Sequence, residues 1–170
     1  TGEAVEGKIS KEDFKKKLLA LVALYYLLAL LDGAEITEAE VTSEEHLKLG
    51  SFILVATGSV TSLADDIYSG AYSDEGGYEK LNSRLSLWDS ALEAIHSFGQ
   101  LLNRNDPYLK WEWDPNKDHC FDCRRLNGQV HRASAWNKSG YFPKSYDLEC
   151  RGFYCGCKWT KSNGPSVGEF

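Results

Sequence analysis

Methionine is missing from the sequence, at position 1 and everywhere else, so a processed or trimmed chain is expected. Proline and glycine are sparse, with 4 and 15 among 170 residues. Together with a 42% hydrophobic and 26% charged content, this excludes a collagen-like or disordered chain. There is no internal repeat and no low-complexity tract. Basic charge is in deficit, with 19 Lys and Arg against 25 Asp and Glu, so a generally basic nucleic-acid coat is excluded. No cysteine precedes position 120. What remains fits one ordinary domain, or one domain plus a small module.

These absences are unevenly distributed. Residues 1–105 carry 9 Lys/Arg and 17 Asp/Glu, whereas residues 106–170 carry 10 and 8. The second segment also holds four of the five tryptophans, 12 of the 21 aromatics and all five cysteines. The expected organisation is an acidic helical module over 1–105 and a cysteine-rich, aromatic, β-rich module over 106–170. The fold class is α+β, mainly α.

Three helices are expected in the first module. Ser10 reads as an N-cap, with Asp13 near the positive end of the helix dipole, for a helix through Phe14 to about Leu31 that stops at Asp32-Gly33. Its stretch Leu18–Leu31 is apolar on every face. Fourteen helical residues span about 21 Å, short of the roughly 30 Å hydrocarbon core. The segment has the length of a signal-peptide core. However, Glu3, Glu6, Glu12 and Asp13 precede it and no small-x-small cleavage site follows. Burial all round, in the core or against partner subunits, is the expectation, with no membrane role; a membrane or targeting segment is the alternative.

The second helix is expected from Thr42 or Ser43 to about Tyr68, ending at Gly70, with Glu44 and Glu45 in its first turn. Gly50 and Gly58 argue against its continuity and suggest close approach of another helix. The third is marked by the stripe Leu81, Leu85, Trp88, Leu92, Ile95 and Leu102. Short links between three helices suggest a bundle. His46 and His96 lie on these helices without a nucleophile or base constellation.

In the second module Lys110-Trp111-Glu112-Trp113 alternates as a strand does. Cys120-Phe121-Asp122-Cys123 is followed, after 26 residues, by Cys150-x4-Cys155-Gly156-Cys157. A C-x2-C turn lets two thiolates converge, and a further cysteine group completes a tetrahedron around Zn²⁺ at about 2.3 Å. A loop-rich module of this size also has little core, and metal binding would supply folding free energy. The expected ligands of a structural zinc are Cys120, Cys123, Cys150 and Cys155. Cys157 is an alternate for Cys155. His119 is a weaker alternate, because adjacent residues rarely reach one ion together. Disulfides are the rival reading, opposed by the odd cysteine count. A redox C-x2-C lacks its βαβ setting. Asn127-Gly128 reads as a turn.

The ordered features Trp111, Asp118, Cys120, Cys123, Leu126-Asn127-Gly128, Trp136, Pro143 and Cys155-Gly156-Cys157 resemble the C-terminal domain of phage Mu F-like minor head proteins, over about residues 108–160. Those domains close with His-Pro-x-Cys-Arg-Cys. Here Gly152-Phe153-Tyr154 stands before the last pair, Gly156 replaces the Arg, and Cys150 would take over the role of the His. The resemblance implies a structural virion component of the head or connector, not an enzyme. It would be assembled in the host cytoplasm with other capsid or portal subunits, in contact with DNA during packaging or delivery.

Two other functions follow from the residues themselves. Arg124, Arg125, Arg132, Lys138, Lys144, Arg151, Lys158 and Lys161 alternate with Trp136, Tyr141, Phe142, Tyr146, Phe153 and Trp159, as a nucleic-acid-binding zinc module would require. Asp118, Asp122, Asp147 and Glu149 dilute that field. An HNH-like nuclease would use His119 or His131 beside the knuckle. The resemblance to phage head proteins also implies an ADP-ribosyltransferase, whose Arg, Ser-Thr-Ser and Glu-x-Glu series is not present.

Overall fold

A computed structural model describes residues 9–152 and 155–170. The chain is α+β and mainly helical. Among the described residues three long helices come first: α1 (Lys11–Ala34), α2 (Ser43–Tyr68) and α3 (Gly77–Leu101). Strand β1 (Tyr108–Glu112), short helix α4 (Phe121–Leu126), strand β2 (Val130–Arg132), short helix α5 (Ala133–Ser139) and strand β3 (Lys158–Ser162) follow.

The expected caps form. Ser10 Oγ accepts from the Asp13 amide at 3.1 Å. Thr42 and Glu45 make a reciprocal capping box, with the Thr42 amide donating to Glu45 Oε2 at 2.8 Å. Such a box satisfies two amides that the first helical turn leaves without intrahelical acceptors.

One expectation about α1 is corrected. It does not stop at Asp32-Gly33 but runs through Gly33 to Ala34, as a helix of 24 residues. Within the chain itself its burial is one-sided. Phe14, Val22, Tyr26, Leu30 and Ala34 form one buried stripe at helical spacing, while Leu21, Leu24, Tyr25 and Leu28 are about half exposed. The helix carries more apolar surface than its neighbours cover. At 24 and 26 residues, α1 and α2 are both long and apolar enough to cross a membrane by length and composition, and only 28% of each apolar window is buried.

Helix α2 is continuous despite Gly50 and Gly58, and no atom of the described residues lies within 4 Å of where a Cβ would stand at either glycine. The stripe of α3 is half-buried at Leu81, Leu85, Trp88 and Leu92, and becomes core at Ile95, Phe98 and Leu101.

The chain divides into two compact units, and the division does not follow the compositional step at 105. One unit comprises the chain up to Leu28 together with Val41–Ser86. Within it Phe14 packs on Tyr68 with ring centroids 6.1 Å apart. Arg84 pairs with Asp66 and donates to Ser62 Oγ at 2.6 Å and Tyr72 Oη at 3.2 Å.

The other unit comprises Ala29–Glu40 and Leu87–Phe170. Here the end of α1 crosses α3 at Gly33 and Gly99. A Cβ on Gly33 would stand 2.1 Å from the His96 carbonyl oxygen, and one on Gly99 2.4 Å from that of Leu30. The antiparallel sheet has the order β2-β1-β3. Its register sets Leu109 opposite His131 and Trp111 opposite Trp159. Trp111, Trp136 and Trp159 meet in one core cluster, with ring centroids 4.6–5.8 Å apart. The indoles of Trp136 and Trp159 reach carbonyls, at 2.9 Å to Leu109 and 3.2 Å to Ser97. This sheet and tryptophan core form the platform beside which the cysteine loops fold.

Candidate metal centre

The first cysteine pair is placed by a helix start. Cys120 is the N-cap of α4, and the Cys123 amide, three residues on, donates to Cys120 Sγ at 3.5 Å. A single turn therefore turns both sulfurs to one side. Cys150 is brought to them by two carboxylates. Glu149 Oε2 accepts from the Phe121 amide at 2.7 Å, and Asp122 Oδ2 accepts from the Glu149 amide at 2.9 Å. This exchange clamps the 149–150 segment onto the start of α4. The sulfurs of Cys120, Cys123 and Cys150 then lie within 4.8 Å of one another.

The second pair arrives on the segment leading into β3. Cys123 Sγ and Cys155 Sγ are 3.8 Å apart. Tetrahedral coordination with bonds of about 2.3 Å sets sulfurs about 3.8 Å apart. All five cysteines are free thiols, and Cys123, Cys155 and Cys157 are buried. Cys157, Cys123 and His119 form a second set of donors within 4.8 Å. Phe153 and Tyr154 lie outside the described residues.

His119 is held in the tautomer and orientation a metal needs. Its Nε2 lies 2.7 Å from the Asp114 carbonyl oxygen, to which it donates, and this leaves the Nδ1 lone pair facing Cys157 Sγ at 4.0 Å. Trp113 stacks on the ring, with centroids 4.7 Å apart. Sequence spacing ranked this residue low because it adjoins Cys120. The missing signal is the carbonyl five residues upstream.

The buried thiols interact strongly and are driven apart in their acidity. Hydrogen bonds from Cys123 and Cys157 pull Cys155 strongly toward its thiolate, aided by the Cys157 and Lys144 amides. Cys123 is pushed far up by its neighbours Cys155 and Cys157 and by burial. Cys150 rises to about 12 through burial, although the Gly152 amide supports its thiolate. Cys157 also rises to about 12. There the hydrogen bond with Cys123 is outweighed by the one with Cys155 and by burial. Without a cation the group thus holds one negative charge readily and resists more, because like charges in a buried site repel. The Trp111 indole N–H is buried without a conventional partner but lies close enough to Cys157 to favour its thiolate.

The structure therefore brings all of the expected ligands together: Cys120, Cys123 and Cys150 as one set, Cys155 against Cys123, and both alternates, Cys157 and His119, around the same sulfur. The cluster has the donors and spacing to hold a metal ion.

The groups considered for other chemistry have different uses. His131 lies between Trp136 and Phe170, with Nε2 3.1 Å from Gln129 Oε1. Asn127 accepts from the Trp113 amide at 3.2 Å, and Gly128 adopts φ +83° in the expected turn. Trp136, Phe142 and Trp159 belong to the core, whereas Tyr146 is exposed. Lys144 pairs with Glu93 and Lys161 with Glu35; Arg125 lies over Tyr141 and Arg132 over Tyr108.

The chain matches no protein-family model, no curated protein and no solved structure.

Proposed function

We propose that this chain is a structural component of a phage head, a minor head or connector protein whose C-terminal module is clamped by zinc. The observation that carries the zinc reading is the convergence of Cys120, Cys150, Cys155, Cys157 and His119 around the buried sulfur of Cys123. Thiolates with one imidazole suit Zn²⁺, which accepts tetrahedral sulfur and nitrogen donors without a redox step. Every cysteine is engaged in the cluster, so the metal's role is to hold the fold and not to activate a substrate.

The head-protein reading is supported by the ordered resemblance over about residues 108–160. It is also supported by the apolar helix faces, which a virion component would bury against capsid or portal subunits. The nucleic-acid reading loses several of its cations to Glu93, Glu35 and aromatic faces, and three of its stacking rings to the core.

The test is metal removal. Zinc co-purifying with the chain, and loss of near-ultraviolet tryptophan signal on chelation with α1–α3 helicity retained, is the expected result. Intact tertiary signal at zero zinc would overturn the zinc reading. Pull-down of portal or capsid proteins from infected cells tests the head assignment, and a chain that captures neither would refute it.

A further inference from the structure

The two sets of donors share Cys123 and no other residue. One contains His119 and Cys157, the other Cys120 and Cys150. Cys155 is the remaining thiol, and its sulfur lies 3.8 Å from that of Cys123, the residue the two sets share. Six donors are too many for one tetrahedral ion. Two tetrahedra that share an edge need six, four of them terminal and two bridging.

We propose that the cluster binds two zinc ions, with Cys123 and Cys155 bridging both. His119 and Cys157 complete one ion, and Cys120 and Cys150 complete the other. This rests on the zinc reading above and sets its stoichiometry.

Three features agree with this assignment. Adjacent His119 and Cys120 serve different ions, which removes the steric objection to their sharing one. The His119 ring is oriented by the Asp114 carbonyl and Trp113 toward Cys157, an arrangement a single four-cysteine site would not use. The fifth cysteine, which leaves any single four-ligand set with a surplus buried thiol, becomes a required ligand. Two Zn²⁺ with five thiolates and a neutral imidazole leave one net negative charge, and the half-buried ammonium of Lys144, which pairs with Glu93, lies within electrostatic reach of Cys155 and Cys157.

The experiment uses the full chain, produced with zinc and purified under reducing conditions. Native mass spectrometry is expected to show two zinc ions per chain, and X-ray absorption a zinc–zinc vector shorter than about 4 Å. One zinc per chain would overturn the pair and leave the zinc-clamped module standing. A folded chain with none would overturn both. In a Co²⁺ titration, His119→Asn is expected to weaken one of two equivalents at least tenfold and leave the other unchanged. A titration identical to that of the unsubstituted chain would refute the role of His119 and with it the second ion.

Discussion

A histidine enclosed by aromatic rings is stable only while it stays neutral, and His131 is such a group. It sits on β2 against Trp136 and Phe170, 7% exposed, and burial holds its pKa below the ordinary value. The sign follows from proton linkage. The unfolded chain binds the proton more readily, so stability rises with pH through this window and is lost as pH falls below about 6.5 toward the lower folded value. His131→Gln removes the titration. The thermal midpoint of the variant should therefore fall less between pH 7 and pH 5 than that of the parent, by circular dichroism at matched ionic strength. Equal slopes would show that His131 does not contribute. The same scale shows what was legible. Five cysteines at metal-binding spacing announce the cluster. The Asp122–Glu149 exchange that seats Cys150, and the Asp114 carbonyl that turns His119, join residues 27 and five positions apart. No local pattern marks either pair, because backbone amides and carbonyls carry half of each contact.

At the level of the elements, glycine separates two situations that look alike in sequence. Gly50 and Gly58 interrupt the pattern of α2 but face open space. Gly33 and Gly99 are where α1 and α3 touch through bare backbone. In a helix, Gly to Ala gains about 0.5–1 kcal/mol in chain entropy. Against that stands an impossible 2.1 Å contact with a carbonyl at Gly33, which only a shift of two helix backbones can relieve. Overpacking of this kind costs about 1–3 kcal/mol or more, so the clash wins. Gly33→Ala should be destabilised by about 1–2 kcal/mol net, and Gly50→Ala stabilised by about 0.5 kcal/mol, in denaturant titrations. Stabilisation of Gly33→Ala would refute the close crossing. The caps at Ser10 and Thr42 were readable because they act within three residues. The end of α1 was not, because Gly33 signals a helix stop locally and a helix contact only once α3 is in place.

For the molecule as a whole, the apolar surface left in water decides the prediction. In one unit, α1 exposes Leu21, Leu24, Tyr25 and Leu28, and α2 exposes Leu47, Leu54 and Val55 at about three-quarters of their area or more. Leu21, Leu24 and Leu28 follow helical spacing on α1, and Leu47 and Leu54 are seven residues apart on α2. A helical stripe of this kind is stable in water when another helix covers it. Burying one leucine is worth about 1.5–3 kcal/mol, so a few such residues per copy suffice to offset the entropy of association. The chain should therefore self-associate, with a light-scattering mass above the 19.0 kDa of one copy. Leu24→Lys combined with Leu28→Lys places two ammonium groups on that stripe and should return the mass to one copy. Far-ultraviolet helicity should be unchanged, since both positions are already half exposed and lysine is a good helix former. A parent chain that runs as a monomer in detergent-free buffer would remove self-association as the reason for these faces. Partition of the parent, but not the variant, into lipid vesicles would reassign them to a membrane.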